Sequence, residues 1–552
     1  MLGPYDSRRT PVGWAARNDR RANFTAVRVP GIERRVTHPR ALSLLLIGLA
    51  TSCATQPPPK PTAAATETPA PPRPEPFPVA FVPAEPADAP RPPAPAAVLL
   101  RGGTVMTAAG RTFAPGHVLV VDGSIASVGE GPGVAPEGAR VVDATGRFLT
   151  PGLIDSHSHM GVYPIPGSSG NSDGNEVGDP TTSGVWAEHG FWPQDPALPR
   201  AVAGGITTIQ VLPGSANLIG GRSFTAKLKL KGSAREMRFP GAPQGLKMAC
   251  GENPKRVYGE HRNGLPSTRM GNVFGYRKAF QDALEYRRRW LKYERDLSLW
   301  RDRLERERLH PTTPTAPAEG NKPAEPPGPL DPPDPPGRDL EHETLAKVLD
   351  GTILVHNHCY RADEMNLMLD LAKQYHFKIR SFHHALEAYK LRDRLASEGV
   401  AVSTWADWWG FKMEGLDGIP ENAPLVAAAG ARAIIHSDSG SEVRHLNQEA
   451  AKALAAGKRL GLVLDDNEAL RWITANPAWA LGVEEKTGTL TVGKMGDVVV
   501  WDRHPFSVYA KAAQVYIDGE LVFDRGTARQ VTDFEVTLPH SGDTAPAAGV
   551  LP

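Results

Sequence analysis

GLIDSHSHMG, residues 152–161, sets His157 and His159 one residue apart behind an apolar run. In an extended strand, residues two apart point to the same face. Read as a strand end, the pair turns both imidazoles to one side, where they can share one metal ion. A His-x-His pair alone is a weak signal, and its weight comes from the histidines and aspartate further along the chain.

Downstream of the pair, short runs rich in Val, Ile and Ala alternate with helical patterns. Strands are expected near 153–157, 207–212, 224–230, 245–249, 352–356, 378–382, 400–404 and 433–436. Eight strands separated by helices argue for a parallel α/β fold, a (β/α)8 TIM-like barrel over 151–483. In such a barrel the chemistry sits at the C-terminal strand ends. The remaining His and Asp candidates fall there: VHNHCYRADE (355–364), RSFHHALEAY (380–389) and IIHSDSG (434–440).

The texture changes on both sides. Residues 98–150 hold short Val-rich segments with Gly and Asp turns, including an Asp-Gly at 122–123 suited to a hairpin. The same texture returns over 484–530, which predicts one small composite β-sandwich built from both flanks. Within the barrel, 260–340 reads as an insertion. Residues 273–308 carry apolar positions in steps of three and four, from Tyr276 through Trp290 to Leu304, a heptad-like seam. Packing on the outside of the barrel is the simpler reading, and contact with a second copy the sharper one. Residues 311–337 are proline-rich and read as a disordered loop.

The first 97 residues show no core-forming pattern. Residues 1–40 are Arg-rich, and 41–52 (ALSLLLIGLATS) form an apolar run too short to span a bilayer, followed by Cys53. That arrangement resembles a bacterial lipoprotein signal, which implies export and a lipid anchor to a membrane. Ala50 and the long leader depart from the usual pattern. Residues 54–97 read as a disordered Pro/Ala-rich tether and 531–552 as a disordered tail. A net charge of +1 over 552 residues gives no argument for nucleic acid. Three cysteines, Cys53, Cys250 and Cys359, make no disulfide framework, and the last two read as packed small side chains.

Taken together, the motifs resemble the amidohydrolase superfamily, its metal-dependent branch with imidazolonepropionase-like and prolidase-like members, from about residue 98 to about residue 528. The resemblance implies a divalent metal, zinc by chemistry, in one or two copies. Its ligands would be His157, His159, His356, His384 and Asp438, with Asp438 also taking the proton from the attacking water. Adjacent histidines on a strand point to opposite faces, so His383 is expected to pack away from the site. Lys247, in GLKMA, matches the carbamylated lysine of prolidase-like relatives, and Glu252 competes for that role. His358 reads as a neighbour of the ligands or a substrate contact.

Three loops are expected to shape a small-molecule pocket: 213–222 with Asn217 and Arg222, 251–259 with Lys255, and 404–412 with Trp405. The implied function is hydrolysis of a carbon–nitrogen bond in a cyclic amide or dipeptide-like substrate. A mononuclear deaminase or deacetylase is the alternative. It is disfavoured by Cys359, which stands where a carboxylate would serve deaminase chemistry. A tethered binding protein of the same fold without turnover is the third reading.

Overall fold

The computed structural model of the chain describes residue 89 and residues 96–310 and 332–528. The leader, Cys53, almost all of the tether, most of the proline-rich loop and the tail lie outside the described residues. Among the described residues, no helix is long and apolar enough to cross a membrane.

Both flanks contribute to one eight-stranded sheet. Its N-terminal strands are β1 (Val98–Met106), β2 (Thr112–Val121), β3 (Ser124–Glu130), β4 (Arg140–Asp143) and β5 (Phe148–Pro151). Far along the chain, β15 (Val498–Trp501), β16 (Ala512–Ile517) and β17 (Glu520–Asp524) complete it in the order β17-β16-β15-β5-β1-β2-β3, with β4 also on β1. The β2–β3 hairpin turns at Asp122 (φ 49°) and Gly123 (φ 76°). A two-residue hairpin turn of this kind needs positive φ at both centres, which Asp-Gly supplies. Val98, Leu100, Val118, Val120, Val498 and Val500 bury together on this sheet.

The strands that carry the histidines lie between the flanks: β6 (Leu153–Ser158), β7 (Ile206–Val211), β8 (Ile219–Arg222), β9 (Phe224–Lys227), β10 (Gly245–Ala249), β11 (Leu354–Cys359), β12 (Ile379–His384), β13 (Ala401–Thr404) and β14 (Ala433–Ile435). From β10 to β14 all neighbours are parallel, as are β6 and β7. The strand expected at 224–230 departs from the expectation. β9 runs antiparallel to β7, while β8, one residue before it, runs antiparallel to β10. One bent segment therefore joins the two sheets and keeps β7 and β10 in the same direction. At the other side, Ile154 N donates to Ile473 O and Ile435 N to Trp472 O, so β6 and β14 both lean on the same short stretch. The C-terminal ends of the seven co-directed strands consequently share one face.

The insertion forms a 41-residue helix, Arg269–Leu309, packed with the helix Leu340–Leu349. Tyr276, Ala279, Phe280 and Ala283 join the main core. Beyond Leu297 the seam comes to the surface, with Leu299, Leu304 and Leu309 exposed.

Cys250 and Cys359 form a disulfide, which corrects the expectation of two packed thiols. The parallel register explains it. Ala249 pairs with His358, so the next rung brings the two cysteines together across β10 and β11. The bond closes a loop with a sequence separation of 109, which holds the whole helical insertion. A disulfide typically stabilises by about 2–4 kcal/mol, and more as the closed loop lengthens. The Cys250→Ser/Cys359→Ser protein should melt at a clearly lower temperature than the oxidised protein, and reductant should reproduce the shift. Equal melting temperatures would show that the bridge contributes nothing to stability.

Candidate active site

Each strand delivers its residues to the shared face. His157 lies in β6 and His159 just after it, Lys247 lies in β10, His356 and His358 in β11, and His383 and His384 end β12. Trp405 follows β13, and His436 and Asp438 follow β14. Two sets of ligand atoms gather within 4.8 Å: His157, His384 and His436, and His157, His159 and Asp438. His157 belongs to both.

The hydrogen bonds fix which ring nitrogens face the centre. His159 Nδ1 lies 2.7 Å from Leu212 O and must donate to it, so Nε2 is the nitrogen that faces Asp438 Oδ1, 3.3 Å away. With that nitrogen unprotonated, the ring and the carboxylate suit a cation between them; a ring protonated on both nitrogens would instead donate to the carboxylate. His157 Nε2 stands 3.6 Å from the same oxygen and is buried without a hydrogen-bond partner, as are both nitrogens of His436 and Nδ1 of His384. Orphaned buried nitrogens on neutral rings suit a metal ion.

Burial favours the neutral form of the fully buried rings. Burial, then the Lys247 charge, holds His157 and His358 well below the ordinary histidine range. Burial, then histidine neighbours, does the same for His383 and His384. Burial takes His436 down to about 4 against the pull of Asp438. Lys247 is 1% exposed, donates to Pro213 O at 2.9 Å, and is pushed down to about 7 by burial, with Asp438 opposing. Burial would raise Asp438, but its contact with His159 holds it below the usual carboxylate value.

His383 does not pack away from the site. The alternation that predicts so assumes an extended chain, whereas His384 (φ 68°) and Ala385 (φ 40°) leave that conformation. Both rings of the pair therefore face inward. His383 Nδ1 lies 2.8 Å from His157 Nδ1, and its Nε2 lies 3.0 Å from His356 Nδ1. His356, expected as a ligand, lies deeper. Its Nε2 is 3.0 Å from the Gln210 amide, itself 3.1 Å from Ser223 Oγ. His157, His383, His356 and Gln210 thus form one buried chain of hydrogen bonds.

Each link has a donor and an acceptor, so the chain has two polarities. If His157 Nδ1–H donates, each ring passes its proton inward and Gln210 presents its oxygen. In the reverse polarity Gln210 donates, and His157 ends with a proton on Nε2. Only the first polarity leaves Nε2 free to bind a metal.

Two expected substrate contacts are structural. Asn217 Nδ2 donates to Asp179 O and Thr182 Oγ1, each at 2.9 Å, and so holds the 176–182 loop. Arg222 donates to Thr344 Oγ1 and Gln244 Oε1 and lies over Trp186, away from the histidines. Lys255 ends the short helix Glu252–Lys255. Lys412, from the loop after β13, reaches over instead: its Nζ is 3.3 Å from Asn253 Oδ1, 3.6 Å from Glu252 Oε1 and 4.1 Å from the Tyr360 ring. Glu252 is thereby paired with Lys412 and is not among the gathered ligand atoms. His358 lies in the outer layer against His384, with ring centroids 4.5 Å apart. Trp405 stacks on His384 at 4.3 Å.

Comparisons with known proteins give the family. An amidohydrolase from Thermotoga maritima MSB8 is 33% identical, with a TM-score of 0.64, over 78% of this chain and 100% of that one. The chain belongs to the amidohydrolase family. The family's sequence model, described as "Amidohydrolase family", matches residues 425–523, from the helix before β14 through His436 and Asp438 into β17. The Amidohydrolase tasK of Hapsidospora irregularis is 34% identical over 431 residues, 74% of this chain and 40% of that protein. An imidazolonepropionase of Streptococcus pyogenes is 28% identical over 220 residues, 34% of this chain and 49% of that protein. The chain thus spans less than half the length of these two curated relatives. In this amidohydrolase-family chain, His436 is the residue that sequence reasoning missed. The signal was present, since His436-x-Asp438 repeats the spacing of His157-x-His159.

Proposed function

We infer that the chain is a metal-dependent amidohydrolase that cleaves a carbon–nitrogen bond in a cyclic amide or dipeptide-like small molecule. The observation that carries this reading is the pair of ligand groups sharing His157, together with the buried, partnerless nitrogens of His157, His384 and His436 that line them. His157, His159, His384, His436 and Asp438 would hold the metal, and carbamylated Lys247 would join two ions. Zinc bound by nitrogen and oxygen ligands with an open position lowers the pKa of water to ~7 and polarises a carbonyl. Asp438 accepts the proton of the attacking water and returns it to the leaving amine. His383 and His356 orient His157 from beneath, and His358 and Trp405 border the substrate.

The same reading takes the inner strands as a closed (β/α)8-type barrel, supported by the bonds of Ile154 and Ile435 to adjacent carbonyls. It takes the flanking sheet as a composite sandwich. It also includes export on a lipid anchor at Cys53, with residues 1–97 dispensable for catalysis. The Cys250–Cys359 disulfide supports an oxidising compartment.

The test is a screen of dipeptides, cyclic amides and lactones with zinc-loaded protein, beside elemental analysis. Two ions per chain and amide turnover that chelator removes and zinc restores are expected. One ion would favour the deaminase-like reading, and a protein that retains none would favour the binding protein.

A further inference from the structure

The loop after β13 carries more apolar surface than packing explains. Trp408 is 54% exposed and Phe411 52%, and Trp409, Met413 and Leu416 are exposed beside them. Exposed apolar groups this large, gathered in one place, mark contact surfaces. Their rings continue inward without a gap. Trp408 meets Trp405 at 5.3 Å between centroids, and Phe411 meets Trp405 at 5.8 Å and Tyr360 at 6.0 Å. Trp405 and Tyr360 both stack on His384, at 4.3 and 5.2 Å. His384 belongs to one of the two ligand groups. An aromatic wall therefore runs from the centre of the site to solvent.

The wall is held rigid. Glu414 is 2% exposed, grips Arg269 and lies 3.6 Å from Lys412 Nζ. Gly410 N donates to Gly415 O at 2.6 Å and closes the loop on itself. A side chain at Gly418 would strike Trp409, its Cβ falling 2.6 Å from that of the tryptophan. A surface fixed in this way binds without a large ordering cost. The charges beside it are already paired: Lys412 and Arg269 face Glu252, Glu414 and Glu364. Neither of these two cations is left over for an anionic group.

The geometry points to a substrate subsite for an uncharged, bulky apolar group, an aromatic ring or large aliphatic chain, seated on Trp408 and Phe411 beside the bond to be cleaved. This inference rests on the hydrolase reading for its placement, and a binding measurement separates the two. The probes are N-acetylglycine, N-acetylleucine and N-acetylphenylalanine, which share one carboxylate and differ in side group. Each is titrated into the zinc-loaded full chain and followed by calorimetry.

N-acetylphenylalanine should bind roughly tenfold or more tighter than N-acetylglycine, as burial of such a side chain implies. In the Trp408→Ala/Phe411→Ala protein that ratio should fall to about twofold, with metal content and N-acetylglycine affinity unchanged. Equal affinities in the unsubstituted protein, or a ratio untouched by the substitutions, would overturn the subsite. So would light scattering that shows a dimer lost in the variant, because the rings would then be covered by a second copy. The tenfold preference in the unsubstituted protein and its loss in the variant, with no amide turnover, would leave the subsite standing and remove the hydrolase reading.

Discussion

The His383→Ala protein should lose 10- to 100-fold in zinc affinity, with a parallel loss of turnover. The size follows from what partners of metal-bound histidines contribute elsewhere. Removing the ring leaves His157 Nδ1 without its partner at 2.8 Å and opens space beneath a fully buried imidazole. His157 then gains freedom to rotate and to hold its proton on Nε2, the atom that faces Asp438. His356→Ala should act in the same direction and more weakly, because it removes the partner of His383 while leaving His383 beside His157. The readout is competition for zinc against a chelator of known affinity, which reports binding apart from catalysis. Unchanged zinc affinity in His383→Ala would show that the buried chain does not set the state of His157.

For His383 the residue pattern points the opposite way, while for the strands it serves well. Strand positions were legible because Val- and Ile-rich runs mark them; all eight expected strands have counterparts in place. Strand direction was not legible, since a run such as 224–230 carries no sign of which neighbour it pairs with, and β9 proved antiparallel. The facing of His383 and His384 was not legible either, because it depends on two positive φ angles that a residue pattern does not announce. Asn217 and Arg222 looked like pocket residues because they sit in a glycine-rich stretch, yet their partners lie far along the chain at Asp179, Thr182, Thr344 and Gln244. The disulfide was hidden for a similar reason, as its two cysteines become neighbours only through the β10–β11 register.

The Lys247→Ala protein is expected to lose most of its activity and much of its metal, if its carbamate joins two ions. An amine reacts with carbon dioxide only when uncharged, and burial brings Lys247 to about 7, so a large share is uncharged near neutral pH. At matched concentrations of dissolved carbon dioxide, reactivation of metal-stripped, unsubstituted protein by zinc should therefore run faster at pH 8 than at pH 6. The buried histidines do not produce this difference, because burial keeps the rings of His157, His384 and His436 neutral across that interval. On the carbamate reading, the space left behind in Lys247→Ala would have the shape of a small carboxylate. Formate or acetate should enter it, present two oxygens and restore part of the rate. A lysine that only pairs with substrate makes the opposite forecast: normal metal content, a raised KM and no rescue by small acids. Glu252 does not offer a replacement at this position, since it is engaged with Lys412 above the site. Normal metal content in Lys247→Ala would thus leave a single ion held by the histidines and Asp438.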